Sequence, residues 1–246
     1  MEKTLKSKIV GSCCECGGTG YLDTHELCSC VITLRAYNRM VHGGFQERII
    51  DFVNKVNYEV PEIDSGKEFL DFFVKNQLVC LNKGLSLYIY SKDKGRGKTT
   101  LSYYLVFKLL LEFMKTENYH SVESVCSFRH IQDCLRKNED SFMYSTVLVL
   151  DDLGNEDRSA TWIREAAIPK LQRMLHYRRD KRLVTLITSN YPPSKISGLY
   201  GGELDSLLEI MGSDLGGELF RAVEVGGGED LRMLPENTEW NLEAAD

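Results

Sequence analysis

One segment near the middle of the chain constrains the fold most, because it joins an apolar run to a helix through a loop rich in glycine and lysine. Residues 85–90 are mostly apolar or aromatic, residues 91–97 form the loop, and residues 98–113 have the composition of a buried helix. Backbone N–H groups can converge on an anion at such a turn when glycines leave the approach open. The segment therefore predicts a strand, a phosphate-binding loop and a helix.

The loop carries the groups that would bind ATP with magnesium. Lys98 is placed to reach the β- and γ-phosphates, and the Thr99 hydroxyl is placed to bind Mg²⁺. The complete motif would have a glycine where this chain has Lys92. A chance Gly-Lys-Thr in a basic loop is the alternative interpretation. The residues predicted to bind ATP are Lys94, Gly95, Arg96, Gly97, Lys98, Thr99 and Thr100.

A pair of aspartates follows a second run with the character of a buried strand. Residues 146–150 are predominantly apolar, and Asp151 and Asp152 come next. The carboxyl ends of parallel strands meet at one edge of a sheet, so these acids are expected beside the phosphate loop. We expect Asp151 to bind Mg²⁺ together with Thr99, and Asp152 to orient water as a general base. Alternatively, the two aspartates could cap the next helix.

The order of the apolar runs predicts the fold class. A chain of 246 residues can bury one α/β core with a small appendage. Helix-length segments separate the runs, as in a parallel sheet with helices on both faces. Residues 162–177 keep helical spacing, and Pro169 either starts or kinks this helix; a start is favoured. The further runs are residues 122–128, 146–150 and 183–189, with a candidate fifth strand at residues 222–225.

The amino-terminal part of the chain has the spacing of a zinc site. Five of the eight cysteines lie between residues 13 and 30. Tetrahedral zinc is commonly bound by two close pairs of thiolates on turns that contain glycine. Cys14 could replace Cys13, His25 could replace a thiolate, and free surface thiols are the alternative interpretation. The predicted zinc ligands are Cys13, Cys16, Cys28 and Cys30, and the cysteines expected to fill the core are Cys80, Cys126 and Cys134.

Charge and hydropathy limit the partners. The net charge of −6 argues against an overall nucleic-acid footprint, so any contact with DNA must be local. Residues 170–182 form a basic stretch that predicts weak, salt-sensitive binding to single-stranded DNA, or else a solvated helix face. Without an apolar run of about 18 residues, a soluble, cytoplasmic protein with no membrane partner is expected. The basic residues of the stretch are Lys170, Arg173, Arg178, Arg179, Lys181 and Arg182.

Three of these segments together resemble the AAA+ ATPases of the DnaC/IstB group, whose best-known members are replicative helicase loaders. They are the glycine-lysine-threonine loop, the run Val-Leu-Asp-Asp-Leu-Gly-Asn-Glu ending at residue 156, and Leu-Ile-Thr-Ser-Asn ending at Asn190. The resemblance covers about residues 84–190, and again residues 228–232. It implies an α/β fold of the P-loop AAA+ (ASCE) type, a parallel sheet flanked by helices, with a small amino-terminal zinc-binding module. The predicted domains are residues 1–35 as the zinc-binding module, 36–66 as a linker, 67–235 as the AAA+ ATPase domain and 236–246 as an acidic tail.

The resemblance also assigns further residues to an ATPase site. Asn190 corresponds to the polar residue that senses the γ-phosphate or positions water. Arg232, within Gly-Glu-Asp-Leu-Arg, corresponds to an arginine that contacts phosphate. Arg221 is the nearest candidate for an arginine finger supplied across a subunit boundary, although its surroundings are shorter and richer in glycine than in the family. The catalytic residues predicted in this way are Lys98, Asp151, Asp152, Asn190, Arg221 and Arg232.

In function, the resemblance implies an ATP-dependent loader that places a hexameric replicative helicase on single-stranded DNA during replication initiation. Some loaders of Gram-positive bacteria and their phages carry an amino-terminal zinc module that docks on the helicase. The expected partners are the helicase, single-stranded DNA and further copies of the chain, in a homo-oligomer that forms on ATP, DNA or the helicase. The alternatives are a transposase-helper ATPase of the IstB type, whose branch usually lacks the zinc head, and an ATP-dependent regulatory binding protein with weak hydrolysis.

Overall fold

A computed structural model of the chain describes residues 11, 13–55, 60–115, 125–136, 141–155, 168–199 and 220–226. The predicted acidic tail, residues 236–246, lies outside these residues. The helices described are α1 (Ser29–His42), α2 (Glu47–Lys55), α3 (Lys67–Lys75), α4 (Gln77–Lys83), α5 (Lys98–Phe113), α6 (Ile131–Arg136), α7 (Ile168–Asp180) and α8 (Pro193–Leu199), with a 3₁₀ turn at Ser141–Tyr144. The strands described are β1 (Ile63–Ser65), β2 (Ser86–Tyr90), β3 (Cys126–His130), β4 (Val147–Leu153), β5 (Val184–Ser189) and β6 (Phe220–Val225).

The strands form one sheet in the order β1-β6-β2-β5-β4-β3. Strands β6, β2, β5, β4 and β3 are parallel to their neighbours, and only the short edge strand β1 is antiparallel to β6. Because β5 lies between β2 and β4, the strand before the phosphate loop and the strand before the aspartates are separated by one strand. The predicted mostly parallel α/β sheet is confirmed, and the candidate fifth strand is confirmed as β6.

Both faces of the sheet are covered by helices. Along β2, β4 and β5 alternate side chains enter two different hydrophobic clusters, as the pleat of a strand requires. Leu87 and Val149 pack in the cluster that holds the buried residues of α1 to α5, whereas Tyr88 and Leu148 pack with those of α6, α7 and α8. Strands buried on both faces explain the nearly continuous apolar runs of the sequence.

Helices α1 and α2 pack on the core, although they lie largely in the segment predicted as a linker. Tyr37 and Met40 of α1 and Ile50 of α2 are buried in the same cluster as helix α5. The hydroxyl of Tyr103 accepts a hydrogen bond of 3.0 Å from the backbone N–H of Gln46. This segment is therefore folded against the sheet, while the position of the domain boundaries stays a prediction.

Helix α7 is described from Ile168 onward, with Pro169 as its second described residue. Residues 156–167 lie outside the described residues, so the interpretation of Pro169 as a helix start stays a prediction. The same helix corrects the basic stretch. Arg178 has 0% of its surface exposed and lies on the apolar face with Leu171 and Leu175. Its guanidinium donates to the carbonyl oxygens of Met143, Ser145 and Val184 and to the hydroxyl of Thr185. Arg178 is thus part of the core and is withdrawn from any surface that could contact DNA.

Three further cysteines behave as predicted, because Cys80, Cys126 and Cys134 are all buried in the hydrophobic clusters. Burial raises the pKa of the Cys80 thiol to about 11, which keeps it protonated and unreactive at neutral pH.

Among the helices described, none has both the length and the apolarity that crossing a bilayer would need.

Candidate functional site

The phosphate loop lies at the carboxyl end of β2 and leads directly into α5. Gly95 and Gly97 adopt φ values of 78° and 79°, in the left-handed region that glycine enters without a steric penalty. Helix α5 then begins at Lys98, with Gly97 as its amino-terminal cap. The first turn of a long helix points its backbone N–H groups at the loop, which is the arrangement that binds phosphate.

The remaining residues of the loop line this turn in different ways. Lys98 is 8% exposed, and its ammonium donates to the backbone carbonyl of Asp93 at 3.2 Å. The half-buried Arg96 pairs with the Asp93 carboxylate at 3.4 Å, while Lys94 is exposed. The lysine side chain that a bound phosphate would attract is therefore held within the loop itself.

Lys92 stands where the full motif has glycine, and its side chain points away from the loop. Its ammonium lies 3.3 Å from the Glu224 carboxylate on β6, which also accepts a hydrogen bond of 3.0 Å from the Tyr90 hydroxyl. The left-handed turns of the loop are supplied by Gly95 and Gly97. The replacement of the first motif glycine by Lys92 therefore affects only the start of the loop, and the left-handed turn at Gly95 and Gly97 is kept.

Asp151 is the point at which the predicted magnesium residues meet. Its side chain lies on β4 and is 5% exposed. One carboxylate oxygen accepts hydrogen bonds from Thr99 at 2.9 Å and from Thr188 at 2.7 Å, and the other lies 3.2 Å from Nδ1 of His130. The hydrogen bond to Asp151 raises the pKa of His130 above its ordinary value. Thr99 and Asp151 thus bring a hydroxyl and a carboxylate together, the oxygen donors that Mg²⁺ prefers.

Asp152 lies beside Asp151 but makes separate contacts. Its backbone has a φ of 69°, which side chains other than glycine, asparagine and aspartate rarely adopt. One carboxylate oxygen accepts hydrogen bonds from the amides of Asn155 at 2.7 Å and Asn190 at 3.3 Å. The structure therefore brings Asp152 and Asn190 together at the edge of the sheet that also carries the phosphate loop.

The two predicted arginines do not join this group in the described residues. Arg221 lies on β6 at the level of Leu87, near the amino end of β2, and its guanidinium stacks on the Phe69 ring at 4.9 Å. Arg232 lies outside the described residues. The described part of the site is consequently made of the loop, the two aspartates and Asn190.

Sequence reasoning missed three neighbours of the aspartates, namely His130, Asn155 and Thr188. His130 ends β3 directly beside Asp151 in the parallel register, so its contact requires the strand order. Thr188 lies within an apolar strand, two residues before Asn190. Its closeness to Asn190 was the only sequence signal that could have placed it near the site. Asn155 follows the aspartates in the turn after β4, where a polar residue is unremarkable.

The amino-terminal cysteines form a second site. The sulfurs of Cys13, Cys16, Cys28 and Cys30 all lie within 4.8 Å of one another, with Cys13–Cys28 and Cys16–Cys30 distances of 3.6 Å. Four sulfurs around a zinc ion at ~2.3 Å would lie ~3.8 Å apart, so the arrangement fits a tetrahedral metal. The exposed Cys14 is not part of this cluster, and neither is His25.

The cysteine cluster is joined directly to the main core. Cys28 caps the amino end of α1 and Cys30 lies in its first turn. At the other end of this helix, the carbonyl of Gly43 accepts hydrogen bonds from the backbone N–H of Phe128 and from Arg129 on β3. One helix therefore spans from the cluster to the strand that carries His130.

Comparison with known proteins bears on the fold. No protein-family model matches the sequence, and no curated protein matches it. The crystal structure of the DnaC helicase loader aligns at 20% identity and a TM-score of 0.46, over 69% of this chain and 95% of that chain. The crystal structure of DnaI aligns at 18% identity and a TM-score of 0.51, over 76% of this chain and 94% of that chain. This chain therefore has a fold similar to that of DnaI.

Proposed function

We propose that this chain is an ATPase that binds magnesium–ATP at the edge of the sheet formed by the carboxyl ends of β2, β4 and β5. The observation that carries the proposal is the 2.9 Å hydrogen bond between Thr99 and Asp151, which joins the phosphate loop to the strand-end carboxylate. Thr99 and Asp151 are 52 residues apart in sequence, and the order of the strands brings them together at one edge of the sheet. Their meeting beside the left-handed Gly95 and Gly97 is the arrangement that a magnesium–nucleotide requires.

The residues of the site divide into binding and chemistry. The first-turn N–H groups of α5 and the Lys98 ammonium would hold the phosphates, and Thr99 and Asp151 would hold the metal ion. Magnesium, when bound, neutralises charge on the phosphate oxygens. Asp152, oriented by Asn190, would position the attacking water and accept its proton, as the water oxygen bonds to the γ-phosphorus and ADP leaves. The role of this chain is therefore positioning and electrostatic stabilisation, as phosphoryl transfer demands.

The resemblance to AAA+ ATPases implies a further arginine, which a neighbouring subunit would supply. We propose a homo-oligomer, formed on ATP, DNA or the helicase, in which Arg221 or Arg232 approaches the nucleotide of another copy. Arg221 lies away from the loop of its own subunit, as a residue acting across an interface would, but its stacking on Phe69 must then be released. Arg232 stays the second candidate.

We further propose that the ATPase loads a hexameric replicative helicase onto single-stranded DNA. The DnaI-like fold and the cysteine cluster are together consistent with this role, and the cluster favours it over a transposase-helper ATPase. A regulatory binder with weak hydrolysis is the other alternative. The ion pair of Lys92 with Glu224 and the left-handed Gly95 and Gly97 support an intact phosphate loop, which favours the ATPase over this alternative.

Single-stranded DNA would meet the exposed cations at the end of α7 and the turn that follows. Lys181 and Arg182 are exposed in this turn, and Arg179 pairs with Asp180 at 3.1 Å at the end of the helix. Arg173 is exposed nearer the middle of α7. This surface lies at the amino end of β5, opposite the proposed ATP site. We propose that these side chains contact DNA phosphates weakly and in a salt-sensitive manner, without reading sequence.

The cysteine cluster gives the first testable prediction for the proposed role. The purified full chain is expected to contain about one zinc ion, because four thiolates at this spacing complete a structural site. Cys16→Ser should lose the zinc and also lose co-elution with the helicase of the source organism, while magnesium–ATP binding persists. The measurements are metal analysis, gel filtration with the helicase and nucleotide binding.

Cys14→Ser is the matched control, since Cys14 is exposed and outside the cluster. It should keep both the zinc and the helicase. A Cys16→Ser chain that retained full zinc would contradict the metal site. A zinc-free chain that still co-eluted with the helicase would contradict the proposed docking role of the zinc-binding module.

A further inference from the structure

A bulge in the sheet lies at the two aspartates. Leu150 of β4 pairs with Ile187 of β5, and Leu153 pairs with Ser189, so the register shifts between these pairs. Asp151 and Asp152 together oppose the single residue Thr188. A bulge of this kind interrupts the regular ladder and re-aims side chains. At the bulge, the Thr188 side chain of β5 makes hydrogen bonds to β4.

The Thr188 hydroxyl bonds to both aspartates at once. The backbone N–H of Asp152 donates to Thr188 Oγ1 at 2.9 Å, and Thr188 Oγ1 lies 2.7 Å from Asp151 Oδ1. A peptide N–H can only donate, and an ionised carboxylate can only accept. The hydroxyl therefore accepts from Asp152 and gives its one proton to Asp151. Because Thr188 is 2% exposed, water does not readily replace either bond.

The two bonds act on different features of the site. The bond to Asp151 fixes the same carboxylate oxygen that faces Thr99 of the phosphate loop. The bond to the Asp152 N–H holds that residue in its left-handed conformation, which directs its carboxylate to Asn190. One buried hydroxyl thus fixes a proposed metal ligand and the proposed water-positioning residue relative to each other.

We propose that Thr188 is a positioning residue for phosphoryl transfer, acting through the orientation of Asp151 and Asp152. This inference rests on the proposed ATPase function. Thr188 does not touch the nucleotide in this role. Its loss is expected to lower turnover more than ATP affinity, since phosphate binding depends mainly on the loop and Lys98.

The test compares two substitutions at this position in the full chain. Thr188→Val keeps the shape of the side chain and removes both hydrogen bonds, whereas Thr188→Ser keeps the hydroxyl. The valine variant is expected to lose ~10–100-fold in kcat, with the Kd for magnesium–ATP within ~3-fold of wild type. It should also need more Mg²⁺ for half-maximal ATP binding, because Asp151 is no longer fixed. The serine variant should stay within ~3-fold of wild type in all these quantities.

Ser127→Ala is the control for loss of a buried hydroxyl, since Ser127 hydrogen-bonds to Ser145 at 2.7 Å in the same sheet. It should lower the Tm without changing kcat or the Mg²⁺ midpoint. The proposal is overturned if Thr188→Val keeps the wild-type kcat and Mg²⁺ midpoint. It is equally overturned if Thr188→Ser is as impaired as Thr188→Val, because the hydroxyl would then not be the cause.

Failure of the proposed function would look different. In that case the wild-type chain would not hydrolyse ATP, and Lys98→Ala would not weaken nucleotide binding. If the wild type binds ATP without turnover, the Mg²⁺ midpoint of Thr188→Val decides the positioning role. An unchanged midpoint then overturns it, and a raised midpoint restored by Thr188→Ser supports it.

Discussion

Lys98→Ala is expected to lower ATP turnover by about 10²–10³-fold and to weaken magnesium–ATP binding. Lys98 begins helix α5, and its ammonium is already held within the loop by the Asp93 carbonyl at 3.2 Å. The substitution removes the positive charge that a bound triphosphate would meet. Phosphate release in the presence of helicase and single-stranded DNA, together with equilibrium nucleotide binding, measures both effects.

Two other substitutions make this result specific. Lys92→Ala is the matched loop control, because Lys92 pairs with Glu224 and should leave turnover nearly unchanged. Asp152→Asn should bind ATP normally and lose turnover, since it removes the proposed base and keeps the loop. Normal turnover in Asp152→Asn would show that Asp152 is not the base, and normal turnover in Lys98→Ala would contradict the phosphate site itself.

Arg178→Met is expected to reduce the free energy of unfolding by about 3–5 kcal/mol. The guanidinium donates to the carbonyls of Met143, Ser145 and Val184 and to the hydroxyl of Thr185, and methionine removes all four of these buried hydrogen bonds. The bonds tie α7 to β5 and to the turn before β4. Chemical denaturation of the full chain, followed by circular dichroism, measures the loss.

The control for Arg178 is its exposed neighbour. Arg179→Ala removes only a surface ion pair with Asp180 and should change the free energy of unfolding by less than about 0.5 kcal/mol. If Arg178→Met unfolds at the same denaturant concentration as the wild type, the buried network contributes nothing to stability. An unchanged free energy of unfolding would also contradict the burial of Arg178 in the core.

The fold was predictable wherever local chemistry and sheet geometry agree. Buried parallel strands must be apolar on both faces, so the runs that became β2, β4 and β5 were visible in the sequence with small errors at their ends. Strand β4 was predicted as an apolar run over residues 146–150 that ends in the two aspartates, and it extends one residue beyond them to Leu153. Helix α5 was predicted with the bounds that the structure has.

Other features depend on tertiary contacts that the sequence does not show. A run of basic residues cannot reveal that Arg178 turns inward, since its helical face is set by Leu171 and Leu175. The packing of α1 and α2 on α5 likewise follows from contacts such as that of Tyr103 with Gln46. Local motifs therefore located the loop and the aspartates, while their neighbours required the strand order.

The proposed arginine finger is the part of the site that local sequence patterns predict least. A finger that acts between subunits leaves no contact with the loop of its own subunit, so neither sequence spacing nor a single copy identifies it. Within its own subunit, Arg221 stacks on Phe69, and this contact does not indicate a catalytic role.

The most direct test of the central claim is retention of the hexameric helicase on circular single-stranded DNA. A closed ring of protein cannot thread a closed circle of DNA unless the ring is opened, so retention reports loading. The account predicts that the wild-type chain with magnesium–ATP increases the helicase retained on the circle, and that Lys98→Ala gives only the background of helicase alone. Equal retention with and without the wild-type chain would contradict the account.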